Sequence, residues 1–418
     1  MAYENTLLRK QLNRISFAGL WGVKVGDALA IDTWHFREWT RETVSNFEFV
    51  KIPEYDYRMT GERVDKAFVF SHAHIKRRDW LRKFCSVEKN IDNKIVITAK
   101  KGYESNNIYL RLIPLWYFQM RRLPYSSVVK MGICFKLCGA FGQARSILKM
   151  LRKMPDMKKI IVFCDIPCTD SLLVQISNRR GYLTYTLQHG IVNGTYDYIE
   201  YKCSHARYFL AWGEYTKWMA MKYGMPEDKL KVVGSMEALE ESERVDYHVK
   251  GKKCFLVCTN GVDEKSAWLR NREIVQMANR CARKYGMKYY LRVHPYDDSG
   301  RYRHIMQEDC CYGIIDSTVE MGEILKRVTF TLCGNSTTFC DSLYYGVPAF
   351  RYIASKDRKI DVCKGIRTGR IENDGELEAC VMALIRDGIR TEEMIKIGEL
   401  LFHTEGTADR YIQAIERK

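Results

Sequence analysis

Val328-Thr329-Phe330-Thr331-Leu332-Cys333-Gly334-Asn335-Ser336-Thr337-Thr338, running on to Tyr345-Gly346-Val347-Pro348, is the stretch whose reading decides the fold. The run 328–333 is short, apolar and bounded by a glycine, as a buried parallel strand requires. Residues 336–345 read as a helix that Gly346 closes from the position after its C-cap, and 347–352 as a further strand. Strand, tight turn, helix and strand make one β-α-β unit. Small hydroxylated residues at the helix start leave backbone N–H groups free beside the positive end of the helix dipole, which suits a phosphate. Asn, Ser and Thr are also ordinary helix caps, so the turn alone leaves both readings open.

The same texture extends outward. Residues 254–258 form a predicted strand, 264–285 a long helix ended by Gly286, and 288–293 a strand that stops at His294-Pro295. A shorter helix is expected near 302–307, then a strand at 313–315. Ser317-Thr318-Val319-Glu320 reads as a capping box opening a helix to Lys326. In the N-terminal half, 67–70, 94–98 and 159–164 read as buried strands. Asp170 and Ser171 then cap a helix through Asn178, and the strand 182–187 runs straight into Gln188-His189-Gly190. A strand at 208–212, a helix at 214–223 and residues 231–235 follow, whereas the opening segment to about Arg63 has no clear period. Repeated β-α-β units imply parallel sheets with helices on both faces. The charged, aperiodic segment 237–253 marks a linker. The expected architecture is therefore α/β: a Rossmann-like N-terminal domain over 1–240, a second Rossmann-like domain over 250–402, and a closing helix within 403–418 that packs back on the first.

Composition bounds the partners. At 418 residues the chain is too long for one ordinary core, and 46% apolar residues suffice to fill two. Mean hydropathy is −0.33, no apolar run reaches spanning length, and Met1-Ala2-Tyr3-Glu4-Asn5 lacks the pattern of a secretory signal, so a cytoplasmic location is expected. The 15 cysteines are scattered through apolar runs without a C-x-x-C, which reads as reduced buried thiols and neither disulfides nor a metal site. A net charge of +16 calls for an acidic partner. Between Glu104 and Asp156 there is no acidic residue, while Arg111, Arg121, Arg122, Lys130, Lys136, Arg145, Lys149, Arg152 and Lys153 alternate with Trp116, Phe118, Phe135 and Phe141. That stretch, 111–153, fits an anionic membrane surface or, equally, a solvated helix face. No RRM, KH or helix-turn-helix signature accompanies the charge, so nucleic acid is not the expected partner.

In doubly wound sheets ligands bind beyond the carboxyl ends of the strands. Three segments lie there. Gly334 to Thr338 is the first. Arg292-Val293-His294-Pro295 is the second, where a cation can meet a diphosphate and the proline fixes the turn. Gln188-His189-Gly190 is the third. Its histidine has the ordinary pKa suited to taking a proton from a hydroxyl, and its glycine leaves room for substrate. His72 and His74, after the strand 67–70, are further acceptor-side candidates, and Gly261 joins the donor side. Each histidine has a structural alternative as a hydrogen-bonded loop residue. No D-x-D sequence is present to hold a divalent ion, so leaving-group charge would be neutralised by a helix terminus and cationic side chains.

With these residues in place, the chain resembles the GT-B glycosyltransferases, and among them the bacterial surface-polysaccharide enzymes: capsule Kdo and sialic acid transferases, and the CDP-glycerol glycerophosphotransferase group. The resemblance rests on His189-Gly190, on His294-Pro295, and on Ser336-Thr337 with Asp341 five positions after Ser336. Gln188 stands where the teichoic-acid enzymes usually carry Trp and is nearer the capsule enzymes. The resemblance implies two Rossmann-like domains facing across a cleft and an inverting, metal-independent transferase without a bound cofactor. It makes His189 the catalytic base, with Arg292, His294, Pro295, Asn335, Ser336, Thr337, Thr338, Asp341 and Gly261 on the nucleotide donor and Gln188, Gly190, His72 and His74 on the acceptor side. The implied substrates are a cytidine- or uridine-activated glycosyl or alditol-phosphate donor and a capsule, lipopolysaccharide or teichoic-acid-type acceptor, handled at the inner face of the plasma membrane. A sugar-nucleotide 2-epimerase of the same architecture is the rival enzyme, and would need a pair of cleft carboxylates. A nucleic-acid-binding protein is the non-enzymatic rival.

Overall fold

The computed structural model describes residues 2–15, 22–30, 51–61, 64–71, 78–105, 107–191, 199–236, 253–261, 265–294, 297–316, 319–334, 336, 338–354, 363, 366, 368–387, 391–403 and 405–416. Its strands fall into two sheets. The first holds β1 (Lys51–Thr60), β2 (Lys66–Phe70), β3 (Lys94–Ser105), β4 (Lys159–Val162), β5 (Leu183–Leu187), β6 (Tyr208–Ala211) and β7 (Leu230–Val232) in the order β1-β3-β2-β4-β5-β6-β7. The second holds β8 (Cys254–Cys258), β9 (Lys288–Arg292), β10 (Cys311–Ile315), β11 (Thr331–Cys333), β12 (Ala349–Tyr352) and β13 (Arg370–Ile371) in the order β10-β9-β8-β11-β12-β13. All pairings are parallel except β1 with β3. That antiparallel edge corrects the expectation of purely parallel sheets. Strand order reverses between β2 and β4 in the first sheet and between β8 and β11 in the second, and at such switch points the loops on either side part and leave a crevice.

The helices are α1 (Ala2–Leu12), α2 (Val25–Ala28), α3 (Arg78–Lys89), α4 (Ile113–Gln119), α5 (Ser127–Arg152), α6 (Cys168–Arg179), α7 (Ile199–Lys202), α8 (Glu214–Lys222), α9 (Lys265–Tyr285), α10 (Met321–Leu325), α11 (Thr338–Tyr344), α12 (Asp374–Asp387), α13 (Thr391–Phe402) and α14 (Thr407–Glu416). The two-residue period of a strand sends alternate side chains to opposite faces of the sheet. Ala67, Val69, Ile160 and Val162 therefore join one core with Cys134, Leu137 and Ile147 of α5 and Leu172 and Leu173 of α6. Phe68, Phe70, Ile161, Phe163, Tyr185 and Leu187 join another, with Phe84 of α3, Met219 of α8 and Tyr411 of α14. This second core continues to Cys258, Cys333, Leu343 and Leu401, so one apolar mass links the two sheets. Each fully buried Leu or Phe in it is worth about 1.5–3 kcal/mol.

The chain end closes the structure. Lys159 Nζ, at the start of β4, donates to the Ile415 and Glu416 carbonyls at 2.6 and 3.1 Å, a cation at the negative end of α14. Tyr411 Oη donates to the Gly234 carbonyl at 3.2 Å, and Lys66 pairs with Glu416 at 3.0 Å. The expected closing helix is thus α14, seated on the first sheet.

Several local expectations change. Asp170 and Ser171 lie inside α6, with Pro167 at the N-cap, and the Asp170 carboxylate accepts from Ser71 Oγ instead of capping. The helix expected near 302–307 is a 3-10 turn, Ser299–Tyr302, capped by Asp298, which accepts from the Gly300 N–H at 2.8 Å. The helix expected from Ser317 is α10, preceded by Glu320 without a side-chain cap bond; Ser317 and Thr318 lie outside the described residues. Ser336 precedes α11 and is not part of it.

Candidate functional site

The second sheet's switch point is built by the segments after β8 and β11. Asn271 of α9, fully buried, holds the first of them: its Oδ1 accepts from the Asn260 N–H at 3.0 Å and its Nδ2 donates to the Asn260 carbonyl at 2.8 Å. The same amide donates to Tyr302 Oη at 3.0 Å, and that hydroxyl in turn binds the Asp297 carboxylate. Thr259 Oγ1 accepts from the His294 N–H at 3.1 Å, which ties the β8 loop to the β9 loop. His294 packs on Gly261, where a Cβ would stand 3.1 Å from the ring's Cε1 and Nδ1. Gly334 packs on Asn260 in the same way: a Cβ there would meet its Oδ1 at 2.8 Å. Glycines at 261 and 334 thus allow a close approach, and they bring His294, Asn260 and the turn after β11 into one crevice.

At that turn the Ser336 N–H donates to the Gly334 carbonyl at 2.8 Å, and Ser336 Oγ accepts from the Thr338 N–H at 3.3 Å and lies 3.1 Å from Thr338 Oγ1. Ser336 therefore caps α11, as a serine before a helix does. Asp341 falls in the first turn of α11. Burial pushes the Cys258 thiol up to about 12, and the nearby Asp341 charge adds to that while Arg292 opposes it. Arg292 donates to the Val319 carbonyl at 2.7 Å and so spans β9 and the segment before α10. Asn335, Thr337 and Pro295 lie outside the described residues.

On the first sheet, His189 follows β5 and its ring packs against the touching pair Trp80 of α3, 5.3 Å away at 64°, and Phe163, 6.1 Å away at 51°. Gln188 is buried. Its Oε1 accepts from the Trp212 N–H at 2.7 Å and its Nε2 donates to the Gly190 carbonyl at 3.0 Å. Its amide is thereby spent on fixing the loop that carries His189, which corrects the expectation that it faces an acceptor. A cavity of about 10 Å³, room for about one water, is lined by His189, Gln188, Gly190, Cys164 and Asp165. Asp165 is the carboxylate nearest this loop among its lining residues, and it accepts from Ser204 Oγ at 2.8 Å and from the His205 and Ala206 N–H groups at 2.8 and 3.0 Å. Burial raises its pKa in spite of these donors. His72 and His74 lie outside the described residues.

Arg82 of α3 and Glu320, at the N-cap of α10, form an ion pair between the two halves. Sequence reasoning missed Trp80, Phe163, Asn260 and Asn271. Only Asn260, placed directly after a strand, carried a signal that could have found it. Among the described residues, no cluster of His, Cys, Asp and Glu suits a metal ion, and no helix is long and apolar enough to cross a membrane.

These two facing Rossmann-like sheets define the GT-B fold, and comparison with solved structures agrees. UDP-GlcNAc 2-epimerase from Neisseria meningitidis, solved with UDP-GlcNAc, is similar over 84% of this chain and 100% of its own, with a TM-score of 0.54 at 12% identity. S. aureus MnaA, solved with UDP, is similar over 84% of this chain and 96% of its own, with a TM-score of 0.53 at 11% identity. A putative UDP-N-acetylglucosamine 2-epimerase from Listeria monocytogenes gives 85% and 96%, with a TM-score of 0.53 at 11% identity. No known family profile and no curated protein sequence matches the chain.

Proposed function

We propose that the protein is a metal-independent, inverting transferase that moves a glycosyl or alditol-phosphate unit from a cytidine- or uridine-activated donor to a bacterial surface-glycan acceptor. The observation that carries this reading is His189, held by two aromatic rings at the carboxyl end of β5 in the half opposite the Gly261, His294 and Gly334–Thr338 crevice. In the reaction, His189 takes the proton of the acceptor hydroxyl as its oxygen bonds to the reacting carbon or phosphorus. The donor's bond to the nucleotide phosphate breaks, and the nucleotide leaves with the electron pair. His294, Arg292 and the N–H groups of the turn before α11 stabilise the charge that develops there, with Asp341 supporting that turn. UDP-sugar ligands in the similar folds support a nucleotide-bearing crevice.

The test is donor-dependent nucleotide release by purified protein with CMP-, CDP- and UDP-activated donors. His189→Ala is expected to lower turnover by about 10²–10⁴-fold, while a nucleotide still raises the melting temperature. Near-normal turnover in that variant sinks the assignment of His189.

The similar folds favour a second reading, a sugar-nucleotide 2-epimerase. Against it, Asp165 accepts from three donors, and among the described residues no second carboxylate lines its cavity. Conversion of UDP-GlcNAc to its 2-epimer without any acceptor separates the two.

We assign the membrane-facing surface to the start of the basic stretch. Ile108, Leu115, Phe118 and Val128 are exposed there beside Arg111, Arg121 and Arg122, and the Arg121 guanidinium lies 3.7 Å from the Phe118 ring centre. Apolar groups for the acyl boundary and cations for anionic headgroups are what a peripheral enzyme with a lipid-linked acceptor needs.

A further inference from the structure

A hollow beside α14 lies away from the carboxyl ends of the strands. A cavity of about 500 Å³ opens on the face of the first sheet between β5, β6 and β7 on one side and α8 and α14 on the other. Its volume falls in the range of roughly 300–1,000 Å³ typical of small-molecule sites. Tyr185 pairs with Tyr208, and Leu210 with Lys231, so Tyr185, Tyr208 and Lys231 project from the same face of three adjacent strands. The two tyrosine rings are 5.2 Å apart at 33°, and Lys231 Nζ stands 5.4 Å from the Tyr208 ring centre.

The opposite wall is basic too. Arg410 lines this wall, fixed by donation from Nε to the Val233 carbonyl at 3.2 Å and from one terminal nitrogen to the His403 and Thr407 oxygens at 2.5 and 3.3 Å. Glu227 offsets Lys217 at 2.8 Å, whereas Lys231 and Arg410 together outweigh Glu214, so the lining is net positive. Glu214 and Gln413 add a carboxylate and an amide to the lining. The tyrosines pack against each other and leave no slot between them for a planar base; the half-buried Tyr208 ring, backed by the buried Tyr185, is the apolar floor against which a sugar ring can lie.

We propose that this cavity is a second ligand site, separate from the crevice between the sheets, and that it takes a pyranose bearing a phosphate or a carboxylate. Lys231 and Arg410 hold the anionic group, Tyr185 and Tyr208 support the ring, and Glu214 and Gln413 meet its hydroxyls.

Isothermal titration of the full chain tests this with glucose 6-phosphate, glucuronate, glucose, inorganic phosphate and UMP. At least one anionic sugar is expected to bind about tenfold or more tighter than glucose and phosphate, a difference of about 1.4 kcal/mol. Whichever anionic sugar binds better names the source of the charge. Lys231→Glu, an exposed position whose change leaves folding intact, is expected to abolish that binding, and Tyr208→Leu to weaken it. Binding persists in His189→Ala, and the thermal response to UDP and CDP persists in Lys231→Glu, so the two sites fail independently. Anionic sugars that bind no better than glucose, tighter binding of UMP through Lys231, or full binding in Lys231→Glu each overturn the proposal.

Discussion

Gly334 leaves no room for a methyl group without moving the Asn260 amide, whose Oδ1 and Nδ2 would lie 2.8 and 2.9 Å from it. Because that amide is the end of a side chain and can swing away, Gly334→Ala is expected to cost stability at the low end of overpacking, about 1 kcal/mol. The displaced amide then enters the crevice, so nucleotide affinity should fall more than stability does; a thermal-shift titration beside a urea melt reads both. Asp27 makes a pH prediction. Burial tends to raise its pKa, but bonds from His205 and Asn13 and the charge of Arg9 hold it below the ordinary 3.8. Its folded pKa is depressed, so its contribution is complete above 3.8 and is lost as pH falls from there through the folded value. Asp27→Asn should therefore lose stability against the parent at neutral pH, by about 1–3 kcal/mol. That gap should shrink below about pH 3 in denaturant melts; a gap independent of pH would count against the role given to Asp27.

At the scale of elements, α13 joins the two halves through its last turn. A Cβ at Gly213, the N-cap of α8, would stand 2.4–2.5 Å from the backbone of Leu400 and Leu401. Backbone cannot swing aside as a side chain can, so Gly213→Ala should cost about 3 kcal/mol or separate α13 from α8, read as a lower urea midpoint or a loss of two-state unfolding. Lys159 presents a comparable case for α14: Lys159→Met leaves two carbonyls at the helix end without their charged donor, a loss of about 1.5–3 kcal/mol, and hydrogen exchange over α14 should rise first. Most strands of both sheets were legible as short β-branched runs. The two-residue β13 was not, and neither was β1, because Lys51–Thr60 alternates charged and aromatic residues without an apolar run, and only pairing with β3 makes it a strand. The capping box at Ser317 misled for the opposite reason: the residue types suit a cap, but the Glu320 carboxylate is drawn to Arg82 from the other half.

For the molecule as a whole, the proposed docking on membranes through a +16 charge and an exposed apolar edge predicts salt-sensitive binding. Vesicles containing anionic lipid should bind the protein at low ionic strength and release much of it near 1 M salt, where the screening length falls to about 3 Å. Phe118→Glu with Arg121→Glu should abolish sedimentation with such vesicles without changing the melting temperature, since both side chains are exposed. Binding that ignores salt and survives these changes would remove 111–153 as a docking surface.

By itself the sequence determined the α/β class, the alternation that fills two parallel sheets, and the places after strands where a ligand site belongs. These are local properties: residue period, turn chemistry and caps act over a few neighbours. Only the tertiary structure decided which of those places meet. Trp80 reaches His189 because α3 covers the first sheet, and Arg82 of the same helix meets Glu320 from the other half of the chain. Gln188, adjacent to His189 in sequence, is turned inward because Trp212 on the next strand needs an acceptor. Contacts between residues far apart in the chain depend on how the sheets are covered, and no window of sequence contains both partners.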